Sequence, residues 1–203
     1  MRHLDVTTAA YLSDPDGVIS RSMVHVTARH RDTGAAEALG LWQGDDTLTV
    51  ALEGVQRSYH GAGSLVAMEP VRAGIGLDVR MVQITLNNLT PEVEQLLRGY
   101  DPRLAPAEIH RALLSPQTGQ LVAEPTRLFR GWVEAVMIRT PKAGGTGEAQ
   151  MTLASAARGL TRGLTLTRSQ VEMQRRQSAD AFRTYGDVAG QVGVWWGEKR
   201  EQP

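Results

Sequence analysis

Apolar positions in this chain fall into short runs, many at period two, with turn residues between them; that is the pattern of a β-sandwich or barrel. The clearest alternation is Thr47-Leu48-Thr49-Val50-Ala51-Leu52, where Leu48, Val50 and Leu52 share one face. Before it, strands are expected near His3–Leu12 and Met23–Arg31, closed by Asp14-Pro15-Asp16-Gly17 and Asp32-Thr33-Gly34. Tyr59-His60-Gly61-Ala62-Gly63 leads through a sharp connection into Ser64–Met68. In Leu77–Asn88, Val79 and Met81 face one way while Val82, Ile84 and Leu86 face the other. A strand apolar on both sides belongs in the middle of a sheet or under a neighbouring subunit. Ile109–Leu114 and Leu121–Glu124 flank a hairpin loop, and Leu128–Thr140 and Glu148–Ala156 flank a second one at Gly144-Gly145-Thr146-Gly147.

Helical spacing appears twice. Thr90 is placed as an N-cap, Pro91 as the first helical residue, and Val93, Leu96 and Leu97 form a stripe that Gly99 ends. From Thr167 to Tyr185 the Gln, Arg and Ala content favours a helix, but its apolar face is thin: Val171, then Ala181 and Phe182. The chain therefore reads as a β-rich domain over residues 1–166 and a C-terminal arm over 167–203.

Composition narrows the chemistry. There are 22 Lys+Arg and 22 Asp+Glu, whereas a protein that grips nucleic acid carries a basic surplus, so sequence-specific nucleic-acid binding is not expected. Cysteine is absent, which removes disulfides, thiolate-bound zinc, iron–sulfur clusters and a cysteine nucleophile together. A core must then hold the fold unaided, and 203 residues suffice for one. No apolar run approaches the ~20 residues of a membrane helix, and Met1-Arg2-His3-Leu4-Asp5 lacks the apolar stretch of a signal peptide.

No reactive constellation emerges. His25 and His30, five apart on a strand, point to opposite faces, and they read as ordinary strand histidines. There is no Gly-x-Ser-x-Gly elbow, and Asp14/Asp16, Asp45-Asp46 and Glu92/Glu94 sit in turns or at a helix start. Neither glycine-rich stretch has the ending of a phosphate loop or the spacing of a dinucleotide fingerprint. We therefore expect no enzyme, no cofactor, no metal and no catalytic residue. The tail is different. Val171, Arg175, Arg176, Phe182, Trp195 and Trp196 are candidate contacts to a subunit or partner, since Trp and Arg are enriched at interface anchors. Packing of the two tryptophans within the chain, and nucleic acid on Arg175-Arg176, are the competing uses.

Several stretches, taken in order, resemble one family. Tyr59-His60-Gly61-Ala62-Gly63-Ser64-Leu65 is similar to a Tyr-x-Gly-Ala-Gly-x-Leu stretch of long-tailed phage tail proteins, and Val79–Leu89 with the short helix after it follows in the same order. Gly119-Gln120-Leu121-Val122-Ala123-Glu124-Pro125 and Leu128-Phe129-Arg130-Gly131-Trp132-Val133 resemble that family's hairpin, and Ala149-Gln150-Met151-Thr152-Leu153 its next strand. Asp180–Gly186 and Trp196-Gly197 resemble its polar helix, turn and closing Trp-Gly. The family is that of tail hub, or baseplate hub, proteins of phages and gene-transfer agents.

That resemblance implies a mainly β, tail-tube-like barrel or sandwich with one short helix and a C-terminal helical arm. It implies a ring of copies, three or alternatively six, joining the tail tube and distal tail protein to tip or fibre proteins. It places the protein in the virion tail tip after synthesis in the host cytoplasm, with no membrane partner in the free state. The alternatives are a distal tail protein and a carbohydrate-binding β-sandwich module of a tail; the second needs clustered aromatics, which at 5% are sparse. Some related hubs carry a cysteine-ligated iron–sulfur cluster, which this cysteine-free chain cannot.

Overall fold

A computed structural model describes residues 5–14, 17–72, 78–87, 90–142, 147–161, 169–186, 188–191 and 193. The chain divides into two units, Met1–Thr161 and Arg162–Pro203.

The first unit opens with a helix, not the expected strand. In α1 (Val6–Leu12) the Asp5 carboxylate accepts from the Thr8 N–H at 3.3 Å. The Tyr11 hydroxyl donates to the Leu114 carbonyl at 2.7 Å and accepts from the Ile19 N–H at 3.0 Å. An N-cap and a two-ended anchor outweigh the β-branched Val6, Thr7 and Thr8.

The strands that follow are β1 (Ile19–His30), β2 (Ala36–Trp42), β3 (Leu48–Leu52), β4 (Val55–His60), β5 (Leu65–Met68) and β6 (Met81–Asn87). Beyond α2 come β7 (Tyr100–Asp101), β8 (Pro106–Leu114), β9 (Thr126–Arg139) and β10 (Glu148–Ser155). All belong to one mixed sheet in the order β3-β4-β2-β1-β8-β9-β10-β6-β5, with β7 beside β1. Every pairing is antiparallel except β2 with β4, a two-residue parallel bridge at Gly40–Tyr59 and Leu41–His60. The sheet does not close on itself: β3 and β5 are its ends.

Successive residues of a strand face opposite ways, and β1 has a core on each side. Val24, Val26 and Ala28 join the larger core with Leu41, Ile84, Leu86, Ile109, Val133, Met151 and Leu153. The residues of α2 (Pro91–Glu94) and of the π-helical turn after it (Gln95–Gly99) cover this side with Val93, Leu96 and Leu97. Pro91 starts that helix as expected, but the Thr90 side chain makes no cap hydrogen bond and donates to the Asn87 carbonyl instead. Met23 joins a smaller core with Trp42, Leu52, Tyr59 and Ala112.

That smaller core exists because the β3–β4 hairpin lies over the sheet. Its two-residue turn, Glu53-Gly54, takes φ of 51° and 79°, the left-handed pair of a type I′ turn. Gly40 makes room for the hairpin, since a Cβ there would run into the Tyr59 ring. At the hairpin's base the Ala62 N–H lies within 3.0 Å of the Gly44 and Asp45 carbonyls, which ties Gly61-Ala62-Gly63 to the loop before β3.

β6 sits one strand in from the β5 end, with Val82, Ile84 and Leu86 buried and Met81 half exposed. On the other apolar side of this segment, Val79 and Met81 stay exposed among the described residues. In the second unit the long helix expected over Thr167–Tyr185 is reduced to α4 (Gln170–Arg176). Gln177 leaves helical geometry at φ −146° and ψ 110°, and Gln170 bridges the turn beyond, donating to the Asp180 carbonyl at 2.6 Å and accepting from the Arg183 N–H at 2.9 Å. α3 (Arg158–Thr161) closes the first unit, and a 3₁₀ turn (Ala189–Gln191) lies in the second.

Leu153 is fully buried in the larger core, so Leu153→Ala should cost about 2–5 kcal/mol in urea unfolding. Val55→Ala, at a position 58% exposed, should stay within roughly 0.5 kcal/mol.

Candidate functional site

One set of charged groups in the first unit gathers around Glu108, beneath the β3–β4 hairpin. Pairing sets His25 of β1 opposite Glu108 of β8, and Met23 opposite His110. A register shift then aligns His110 with Arg127 and Glu108 with Arg130 on β9. Residues 127 and 130 would face opposite ways in a regular strand; the extra residue between them brings both to the same side.

From above, Arg57 of β4 reaches down to Glu108, Nη1 to Oε2 at 2.6 Å. Arg127 bridges Glu108 at 3.5 Å and Glu53 at 2.9 Å, and Arg130 lies 3.8 Å from Glu108. The Glu53 N–H donates to the Glu124 carboxylate at 2.7 Å, fastening the hairpin tip to the β8–β9 connection. These contacts hold a non-glycine residue at positive φ.

Burial pushes the Glu108 carboxyl up, but the hydrogen bond and charge of Arg57, with His110 and Arg127, outweigh it and hold the group below its ordinary range. Burial lowers His25 to about 4, helped by Arg57 and His110 and opposed by Glu108. Burial also lowers His110, against the pull of Glu108 and Glu53 and with the push of Arg57 and Arg127. Burial raises Tyr59, partly offset by the nearby Arg57 guanidinium. That guanidinium does not complete a hydrogen bond: among the described residues neither the Tyr59 hydroxyl nor His110 Nδ1, both buried, has a partner. The arrangement is a charge cluster, desolvated around Arg57, Glu108 and the two histidines and open to solvent at Glu53 and Arg130, and among the described residues no group of three or more acidic, Cys or His side chains is placed to hold a metal.

The tail residues singled out in the sequence lie elsewhere. On α4, Val171 is 76% exposed, and Arg175, one turn on, forms a 3.8 Å pair with Glu172. Arg176 ends that helix. Phe182 is 84% exposed in the following turn, its N–H held by Asp180 at 3.0 Å. Trp195 and Trp196 lie outside the described residues.

The sheet ends are the second feature. β3 reads Leu-Thr-Val-Ala-Leu and β5 Leu-Val-Ala-Met, so neither carries a charge or a proline. Proteins that stay monomeric blunt such edges with charge, proline or bulges. Among the described residues of these two strands the one such device is a register shift between Leu65 and Ala67. An open cleft of about 990 Å³ also lies over Val82 and Phe129, rimmed by Arg72, Arg80 and Arg130 and by Glu69 and Asp78. Its mixed charges select no ligand class. Among the described residues no helix is long and apolar enough to cross a membrane.

Compared with known proteins, the chain matches no family model and no curated protein.

Sequence reasoning missed the cluster. Glu108 and His110 are visibly on one face, but His25, Arg57 and Arg127 join them only through long-range pairing and a bulge. Glu108→Ala should cost roughly 3 kcal/mol, near the low end for breaking a buried pair because the side chain keeps 15% of its exposure. A double-mutant cycle with Arg57→Ala measures the coupling. The lowered carboxyl contributes stability above its ordinary value of 4.5, and this is lost as pH falls through the depressed folded-state value.

Proposed function

We propose that this chain is a structural hub protein of a phage-type tail tip, whose copies form a ring between the tail tube or distal tail protein and the tip apparatus. The resemblance of ordered segments from Tyr59 to Trp196-Gly197 supports it. The structural observation that supports it is an open sheet whose two end strands carry neither charge nor proline. In this reading each chain supplies one section of a tube-like barrel, and β3 of one copy lies against β5 of the next. Such a contact is head-to-tail, so it closes into a ring when the rotation permits. Three copies, or six, would complete it. The exposed Val171 and Phe182, with Arg175, Arg176, Trp195 and Trp196, serve in this reading as contacts of the C-terminal arm to a neighbour.

Sedimentation velocity tests the reading. The native chain should associate with rising concentration or on addition of the adjacent tail proteins. Thr49→Lys and Ala67→Lys, each at an exposed edge position, should weaken that association at least tenfold, about 1.4 kcal/mol, without changing the unfolding curve. A native chain that stays monomeric and ignores those partners overturns it.

A further inference from the structure

We propose that the β3–β4 hairpin is an acid-released flap, clasped over the sheet by ion pairs around Glu108 and seated on two uncharged histidines, His25 and His110. This inference concerns the free chain and stands apart from the ring.

The flap can lift without dismantling the fold. No residue of β3 or β4 belongs to the larger core; Leu52 and Tyr59 belong to the smaller one. Its backbone joins the sheet through the two-residue bridge to β2. It is otherwise held by Leu52 and Tyr59 in the smaller core, by the Ala62 tie at its base, and by the charge cluster, which is the attachment that responds to pH.

The groups that face the two histidines come from every element around them. β4 presents Arg57 and Tyr59, the hairpin turn Glu53, β8 Glu108, and β9 Arg127 and Arg130; Glu124 of the β8–β9 connection holds the turn. With neutral histidines, three guanidinium groups meet three carboxylates. Protonation would add two cations to that balanced set. The carboxylate beside them is already committed: Glu108 Oε2 is 4.0 Å from His110 Nε2 and accepts from Arg57 at 2.6 Å. A proton on His110 Nδ1 would be buried without an acceptor among the described residues. The His25 ring lies 5.9 Å from that of Tyr59, under the flap itself.

The sign follows from linkage. In the closed form His25 is lowered from 6.5 to about 4, and His110 is lowered as well, chiefly by burial. Lifting the flap restores solvent to both. The closed form is therefore fully favoured above pH 6.5 and loses ground as pH falls towards 4. At pH 5 His25 alone shifts the balance towards opening by roughly 30-fold. Glu108, held below its ordinary range, is still ionised there.

Hydrogen exchange of the full chain, corrected for intrinsic rates, tests this at pH 7.5 and pH 5. Amides of Thr49–Ser58 should lose roughly 30-fold or more in protection, while those of β1, β8 and β10 keep theirs. In His25→Gln/His110→Gln the hairpin should show no such pH dependence. Equal hairpin protection at both pH values, joint loss across all strands, or a pH dependence that survives the double substitution would overturn the proposal. If that variant does not fold, imidazole titration by NMR in the native chain decides: midpoints well below 6.5 support the flap, and midpoints at 6.5 overturn it.

Discussion

Burial of β1 on both faces is the constraint from which the first unit is built. Met23 and Val24 are neighbours in sequence, point in opposite directions, and are both fully buried. One face needs the helical turns at Pro91–Gly99 and the strands from β8 to β6 to cover it. The other is covered by the β3–β4 hairpin, which brings Leu52 and Tyr59 and adds the Arg57–Glu108 pair. Hydrophobic burial thus places the sheet, and a desolvated ion pair sets where the hairpin rests on it. A buried pair of this kind adds little net stability over an apolar contact, but it penalises every seating in which Glu108 is left alone.

Much of the sheet was legible in the sequence. The alternation of Leu48, Val50 and Leu52, the loop at Ser115–Gln120 and the pairing of Leu128–Thr140 with Glu148–Ala156 reflect local rules of period and turn. What failed there was decided by single tertiary contacts. Residues 6–12 look like a strand by composition, but the Asp5 cap and the Tyr11 hydroxyl make them a helix. The tail helix ends at Arg176 because Gln170 finds partners beyond the helix, in Asp180 and Arg183.

The charge cluster was not legible, for a physical reason. Its members are separated by up to about a hundred positions, from His25 to Arg130, and one bulge inverts the facing that period two assigns to β9. In the sequence His25 and His110 are unremarkable; in the fold they lie beneath an arginine and beside a carboxylate that is already taken. The sheet ends were legible as strands but not as ends, because edge position depends on strand order. Only with that order known does the lack of charge on β3 and β5 bear on the proposed edge-to-edge contact.

The absence of native cysteine allows the most direct test of edge-to-edge assembly. Ala51→Cys marks the β3 end and Ala67→Cys the β5 end, both at exposed positions. Under mild oxidation, a mixture of the two variants should give a disulfide-linked dimer, and neither variant alone should do so. Linkage within each variant alone, or none in the mixture, would contradict head-to-tail pairing of the sheet ends.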